Sequence, residues 1–270
     1  MVKILSQILV FYVIFLVVFV IERIFLIAAF NEDFSFNFIF QTFAYGALHD
    51  TRAISIMFLP LILCGFLSYF VPFRTILSRI YIKISSFYIA LVAFLCVIMA
   101  FVNYFWFLMY QNKIDIFIFG LKDDETSVLL KMIWNDYPIL MILGIAILVA
   151  ICCYFLNAKI LKMQILRFRK KLNMPLFVCF NLAIILVYVI SLRGSLTGKV
   201  AMNSNLYAFC HIRILNDIAL NPMIALQWAN KEYKNQFNLP QIDPKIAQNL
   251  ENELFSIYDI SRNGGGEVKS

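Results

Sequence analysis

Ile4-Leu-Ser-Gln-Ile-Leu-Val-Phe-Tyr-Val-Ile-Phe-Leu-Val-Val-Phe-Val-Ile-Glu-Arg-Ile-Phe-Leu-Ile-Ala-Ala-Phe30 is the stretch whose reading decides the fold. It exceeds the roughly 20 apolar residues that a helix needs to cross a bilayer core. Charge enters only at Glu22 and Arg23. Its apolar run is also longer than the roughly 7–15 residues of a signal peptide, and no small-residue cleavage site follows. It therefore reads as a retained signal anchor. Four more stretches of this kind follow, at residues 53–73, with Pro60 as an expected kink, and at 84–110, 137–156 and 174–192.

Composition agrees. Of 270 residues, 62% are hydrophobic and only 14% charged, and Phe occurs 28 times. A soluble domain averages about 45–50% apolar and about 25% charged residues. So few polar groups cannot cover so much apolar surface, which excludes a soluble enzyme, a disordered chain and a secreted disulfide scaffold. The net charge of +7 is not gathered into a basic, aromatic-studded face, so no nucleic-acid partner is expected. Five of the six cysteines lie in apolar runs and no CxxC pair occurs, so they carry no redox or zinc signal.

The charges instead set an orientation. Lys159, Lys162, Arg167, Arg169, Lys170 and Lys171 crowd between the fourth and fifth stretches with no acid among them. Lys3 precedes the first, and Arg74, Arg79 and Lys83 lie between the second and third. The other connections carry Glu32, Asp33, Asp50, Asp115, Asp123, Asp124, Glu125 and Asp136. The positive-inside rule then places the N-terminus in the cytoplasm and residues after 192 outside. The expected fold is all-α: a polytopic membrane protein with five transmembrane helices, interfacial helices and an external helical stem. Residues 1–192 form the transmembrane domain, 193–260 the extracytoplasmic stem and 261–270 a disordered tail.

Two outer connections have helical patterns of their own. Phe36, Phe40, Phe43 and Ala47 recur at helical spacing, which predicts an amphipathic helix lying in the interface. Asp124–Trp134 has acids in its first turn and Val128, Leu129, Met132 and Ile133 on one face, which predicts another. In residues 193–270, eight Lys or Arg balance seven Asp or Glu, and the segment is much more polar. Ser204 can cap a helix running to about Leu220, Pro222 can open one over Met223–Asn235, and Asp243–Pro244 a third to about Tyr258.

Catalytic signals are few. Only His49 and His211 are present, far apart, and there is no HExxH, GxSxG or Walker-type loop. The most suggestive polar group is His49-Asp50-Thr51-Arg52, placed by this reading at the outer mouth of the second span. Such residues either cap and anchor a helix end or recognise a lipid headgroup. In the second case His49, Asp50, Arg52 and, at the outer end of the fifth span, Arg193 form the candidate site, with arginine gripping phosphate as a fork. Glu22 and Arg23 are adjacent and so do not share a helix face; they either snorkel or pair with other helices.

Four stretches carry a resemblance: Ala47-Leu-His-Asp-Thr-Arg52, Phe117-Ile-Phe-Gly-Leu-Lys-Asp-Asp-Glu-Thr126, Arg193-Gly194 and Ala219-Leu-Asn-Pro-Met-Ile-Ala-Leu226. Together they resemble the membrane region of lipoteichoic acid synthase-like and phosphoglycerol or phosphoethanolamine transferases. These are membrane members of the sulfatase/alkaline phosphatase superfamily. The resemblance implies a place in the bacterial inner (cytoplasmic) membrane and a membrane phospholipid as partner. In that family an external α/β domain follows, carrying a metal-bound Thr or Ser nucleophile. It implies that a divalent metal belongs to that domain alone, and that this chain, metal-free and inactive by itself, needs a separately encoded or missing catalytic half. The tail Asn263-Gly-Gly-Gly-Glu-Val-Lys-Ser270 fits either a frame slip at a guanine run or a flexible linker. Two other functions stand beside this one: a small transporter or channel component, and an assembly factor docking through external helices. Against the transporter, the spans hold few polar residues beyond Asn103 and Asn181 and show no inverted repeat.

Overall fold

The computed structural model describes residues 2–30, 34–70, 75–122, 131, 133–163, 174–193 and 208–236. Among these the chain is all-helical, with no strand. The elements are α1 (Val2–Phe30), α2 (Phe36–Phe70), α3 (Thr75–Tyr110), a 3₁₀ turn (Ile116–Lys122), α4 (Ile139–Met163), α5 (Met174–Arg193), α6 (Arg213–Ala219) and α7 (Pro222–Gln236). Four helices are long and apolar enough to cross a membrane, over Ile4–Phe30, Phe36–Leu67, Arg79–Tyr110 and Ile139–Lys162. α5 contributes a shorter apolar helix, Cys179–Arg193.

Contacts fix how the helices run. Phe15 meets Phe58 and Arg23 meets Asp50, so α1 and α2 are antiparallel. Gln7 meets Tyr81 and Glu22 meets Asn103, so α1 and α3 are parallel. Ser86 meets Asn157 and Phe105 meets Tyr137, which makes α3 and α4 antiparallel. α3 packs most extensively on α4, while α1 packs on both α2 and α3, and α5 on α2.

The main core is built from phenylalanines one turn apart. Phe11, Phe15 and Phe19 line one face of α1 and pack with Ile54 and Phe58 of α2 and with Ile89, Val92, Ala93 and Cys96 of α3. The opposite face shows Leu9, Val13, Val17 and Ile21 to the surroundings. A helix that is apolar all round suits a bilayer, where lipid solvates the outer face and packing, hydrogen bonds and lipid entropy hold helices together.

Several boundaries differ from expectation. The second span was expected over 53–73, behind a separate interfacial helix. Instead Phe36 to Phe70 is one helix, and His49-Asp50-Thr51-Arg52 lies in its interior rather than capping its end. No helix breaker stands between Phe43 and Arg52 except Gly46, and the polar residues there find partners in other helices, so nothing ends the helix. The third span was expected from residue 84, but α3 starts at Thr75 and carries Arg79 and Lys83 within it. Residues 208–212 are not helical, so the helix expected from Ser204 begins at Arg213; Ser204 itself lies outside the described residues. α7 falls where Pro222 predicts it. Most of Asp124–Trp134, the helix expected from Asp243, the 261–270 tail and four of the six clustered bases (Arg167, Arg169, Lys170 and Lys171) also lie outside the described residues.

The chain divides into two compact units at Asn230–Lys231. The described part of the second, residues 231–236, is the last turn and a half of α7.

Candidate functional site

The stripe of buried residues on α1 begins Ile4, Gln7, Phe11, Phe15, Phe19 and then changes character at Glu22 and Arg23, before closing with Leu26. Burying two ionisable groups in a helix of this kind is costly, about 2.5–3.5 kcal/mol per charge at a span centre, unless each finds a partner. Both do. Glu22 Oε1 accepts a hydrogen bond from Asn103 Nδ2 at 2.7 Å, on α3. Arg23 Nη1 and Nη2 donate to the two carboxylate oxygens of Asp50 at 3.1 and 3.2 Å, on α2. Adjacent residues point apart on a helix, so one dipeptide ties α1 to two neighbours at once.

The arginine does more than neutralise Asp50. Its Nε donates to the Ile218 carbonyl and its Nη2 to the Ala219 carbonyl, each at 3.3 Å. These belong to the last turn of α6, where carbonyls have no intrahelical partner. Arg23 is thus the C-terminal cap of α6, with a cation at the negative end of the helix. Asp50 reaches the next helix in turn. Asn221 Nδ2 donates to Asp50 Oδ1 at 2.9 Å, while Asn221 Oδ1 accepts from the Met223 amide at 3.0 Å and so caps the start of α7. The break between α6 and α7 is therefore fastened at both lips by one ion pair in the bundle.

The elbow is deep. Leu215, Asn216, Asp217, Ile218, Ala219, Leu220 and Asn221 are all buried, with Ile218 packed on Leu26 and Phe107. Leu220, Ile224, Ala225 and Trp228 pack with Ala53 and Ile114. Further along α2, the Phe209 ring stacks on Tyr45 at 4.7 Å and 8°, and His211 meets Phe38 edge-on at 5.1 Å. Gly46 explains how the guanidinium fits: a side-chain carbon there would fall onto Arg23 Cζ, Nε and Nη2, with nowhere to shift inside a filled site.

The four residues expected to form a lipid-headgroup site are split by this arrangement. Asp50 is fully buried and committed to Arg23 and Asn221. His49 is 1% exposed, sits edge-on to Trp228 at 6.0 Å, and its Nδ1 has no hydrogen-bond partner. Neither faces outward as a headgroup ligand. Arg52 is half-buried and Arg193 exposed. These two lie toward the same end: Tyr188 Oη donates to the Ser55 carbonyl at 2.8 Å, with Arg52 one turn along α2 and Arg193 five residues along α5. Among the described residues no group of three or more His, Cys, Asp or Glu is placed to hold a metal.

Asn103, Gly46 and Asn221 were not singled out as site residues from the sequence. A signal existed for the first: Glu22, Arg23, Asp50 and Asn103 are among the polar interruptions of three apolar helices, and intramembrane ionisable groups seek one another. Asn221–Pro222 is an N-cap followed by a first-turn proline, but nothing in that pattern says that the cap also serves Asp50. No family model, curated protein or solved structure matches this chain.

Proposed function

We propose that the chain is the membrane anchor and stem of a sulfatase-family cell-envelope transferase, which moves phosphoglycerol or phosphoethanolamine from a phospholipid onto an envelope acceptor. In this reading α5 is the fifth span, the N-terminus is cytoplasmic, and the chain after Arg193 is extracytoplasmic. The observation that carries it is the docked elbow, with Arg23 capping α6 and Asn221 tying Asp50 to α7. A stem that must hold a catalytic domain at a fixed height above lipid headgroups needs such an attachment, because a flexible linker would spread its position over many ångströms. Arg52 and Arg193 supply the donor-lipid contacts, and the catalytic metal belongs to a partner domain.

The lipid role is tested on the chain itself. Native mass spectrometry of protein extracted in mild detergent should find phosphatidylglycerol or phosphatidylethanolamine retained, and Arg52→Gln with Arg193→Gln should lose it while melting at an unchanged temperature. With a catalytic domain supplied, headgroup-labelled lipid should be consumed more slowly by both single variants. Unchanged retention and turnover in the singles and the double would overturn the reading. For orientation, a reporter active only outside the cytoplasm should work after residue 235 and fail after Lys162; the reverse pattern inverts the topology.

A further inference from the structure

Pro60 stands inside α2 and has no N–H, so the Ile56 carbonyl one turn earlier loses its helical partner. The carbonyls on either side of Ile56 are those that receive tyrosines. Tyr188 of α5 donates to the Ser55 carbonyl at 2.8 Å, and Tyr88 of α3 donates to the Met57 carbonyl at 2.5 Å. Two hydroxyls from two different helices thus bind the two carbonyls that flank Ile56, at the one proline-weakened turn of α2. Membrane helices tolerate proline where neighbours support the loosened backbone, and sharp bends concentrate there.

What lies beyond this turn makes the bend consequential. The portion of α2 before Ser55 carries Tyr45, His49, Asp50 and Ala53, the residues that hold Phe209, Trp228, Asn221 and the α7 core. The portion after it carries Phe58 and Leu61, which belong to the phenylalanine core. We infer that Ser55–Pro60 is a hinge, that Tyr88 and Tyr188 are the staples that set its angle, and that the α2 segment before it moves together with α6 and the start of α7. The Arg23–Asp50 pair is the latch of this device: α1 runs past the hinge without a proline, so bending α2 away stretches Arg23 from Asp50.

The test places spin labels across the hinge in the full-length protein in lipid nanodiscs. One label is at Gln227→Cys, exposed on α7, and the other at Leu140→Cys, exposed on α4. Cys64, Cys152, Cys179 and Cys210 are replaced by alanine, and the buried Cys96 and Cys153 are kept. With both tyrosines present, double electron–electron resonance should give one main distance. Tyr88→Phe and Tyr188→Phe should each raise a second distance about threefold in population, the factor that one lost helix–helix hydrogen bond of about 0.6 kcal/mol corresponds to. Adding Pro60→Ala to the double variant should collapse the distribution back to one peak. A single unshifted distance in the Tyr88→Phe/Tyr188→Phe protein, with its melting temperature retained, would overturn the hinge. So would a second distance that persists when Pro60→Ala restores the missing N–H.

Discussion

The two ends of α1 hold their neighbours by different means. Around Phe11, Phe15 and Phe19 the contact is made of rings, with Phe15 and Phe58 at 5.6 Å and Phe11 and Phe15 at 6.2 Å. Around Glu22 and Arg23 it is made of charge and amide, and five residues from three other segments depend on it. In water the first kind would dominate. In a bilayer lipid is as apolar as phenylalanine, so rings gain only their better packing, while an unpaired charge loses heavily. The ring contacts can slide and repack by small steps; the Arg23 end has one arrangement that satisfies every group. The first end therefore supplies cohesion and the second supplies register.

The end of the bundle near Gln7 is a mixed case. Tyr81 Oη donates to Gln7 Oε1 at 2.9 Å, and Asn157 Nδ2 donates to Ser86 Oγ at 2.8 Å. These uncharged pairs tie α3 to α1 and to α4 with the modest strength typical of membrane helix hydrogen bonds, about 0.6 kcal/mol on average.

If this division holds, the largest effect belongs to removing half of the ion pair. Asp50→Ala should destabilise the protein by about 3–5 kcal/mol, because Arg23 stays buried without its counter-charge. The double variant Arg23→Met/Asp50→Leu should be less damaged than either single, as read from unfolding in detergent. A double that falls as far as the sum of the singles would mean that the pair is not one unit. Gly46→Ala comes next, at about 1–3 kcal/mol for forcing a methyl into the guanidinium site. That penalty should shrink when Arg23 is already Met, which a thermal-shift cycle of the four proteins would reveal.

The ring end should respond more gently. Phe15→Leu should cost less than about 1.5 kcal/mol, because a hydrophobic swap of nearby volume lets the core of Phe11, Phe58 and Ile89 repack. A loss as great as that of Asp50→Ala would erase the contrast between the two ends. Asn103→Val should have the smallest effect, about 0.6 kcal/mol for the one helix–helix hydrogen bond it gives to Glu22. Thermal unfolding in detergent measures that loss, and one as great as that of Asp50→Ala would place Asn103 at the centre of the network instead of its margin.

How far the sequence alone reaches depends on the period of the pattern and on the kind of partner. Long uncharged runs specify their own helices, because in hydrocarbon every backbone group must be satisfied within the segment. The helical character of all five apolar stretches, and of α7 behind Asn221–Pro222, follows from local chemistry and is found. The phenylalanine stripe of α1 is likewise visible at four-residue spacing. What the sequence by itself did not determine is where helices end when their polar residues have distant partners. His49-Asp50-Thr51-Arg52 has the composition of a helix end, yet α2 passes through it because Arg23 and Asn221 neutralise and bind Asp50 from 27 and 171 positions away. For the same reason the segment after Arg193 has the composition of a solvent-exposed stem, while its elbow from Leu215 to Asn221 is buried. Local sequence fixes a backbone's preferred shape; which charge answers which is decided only when the helices are side by side.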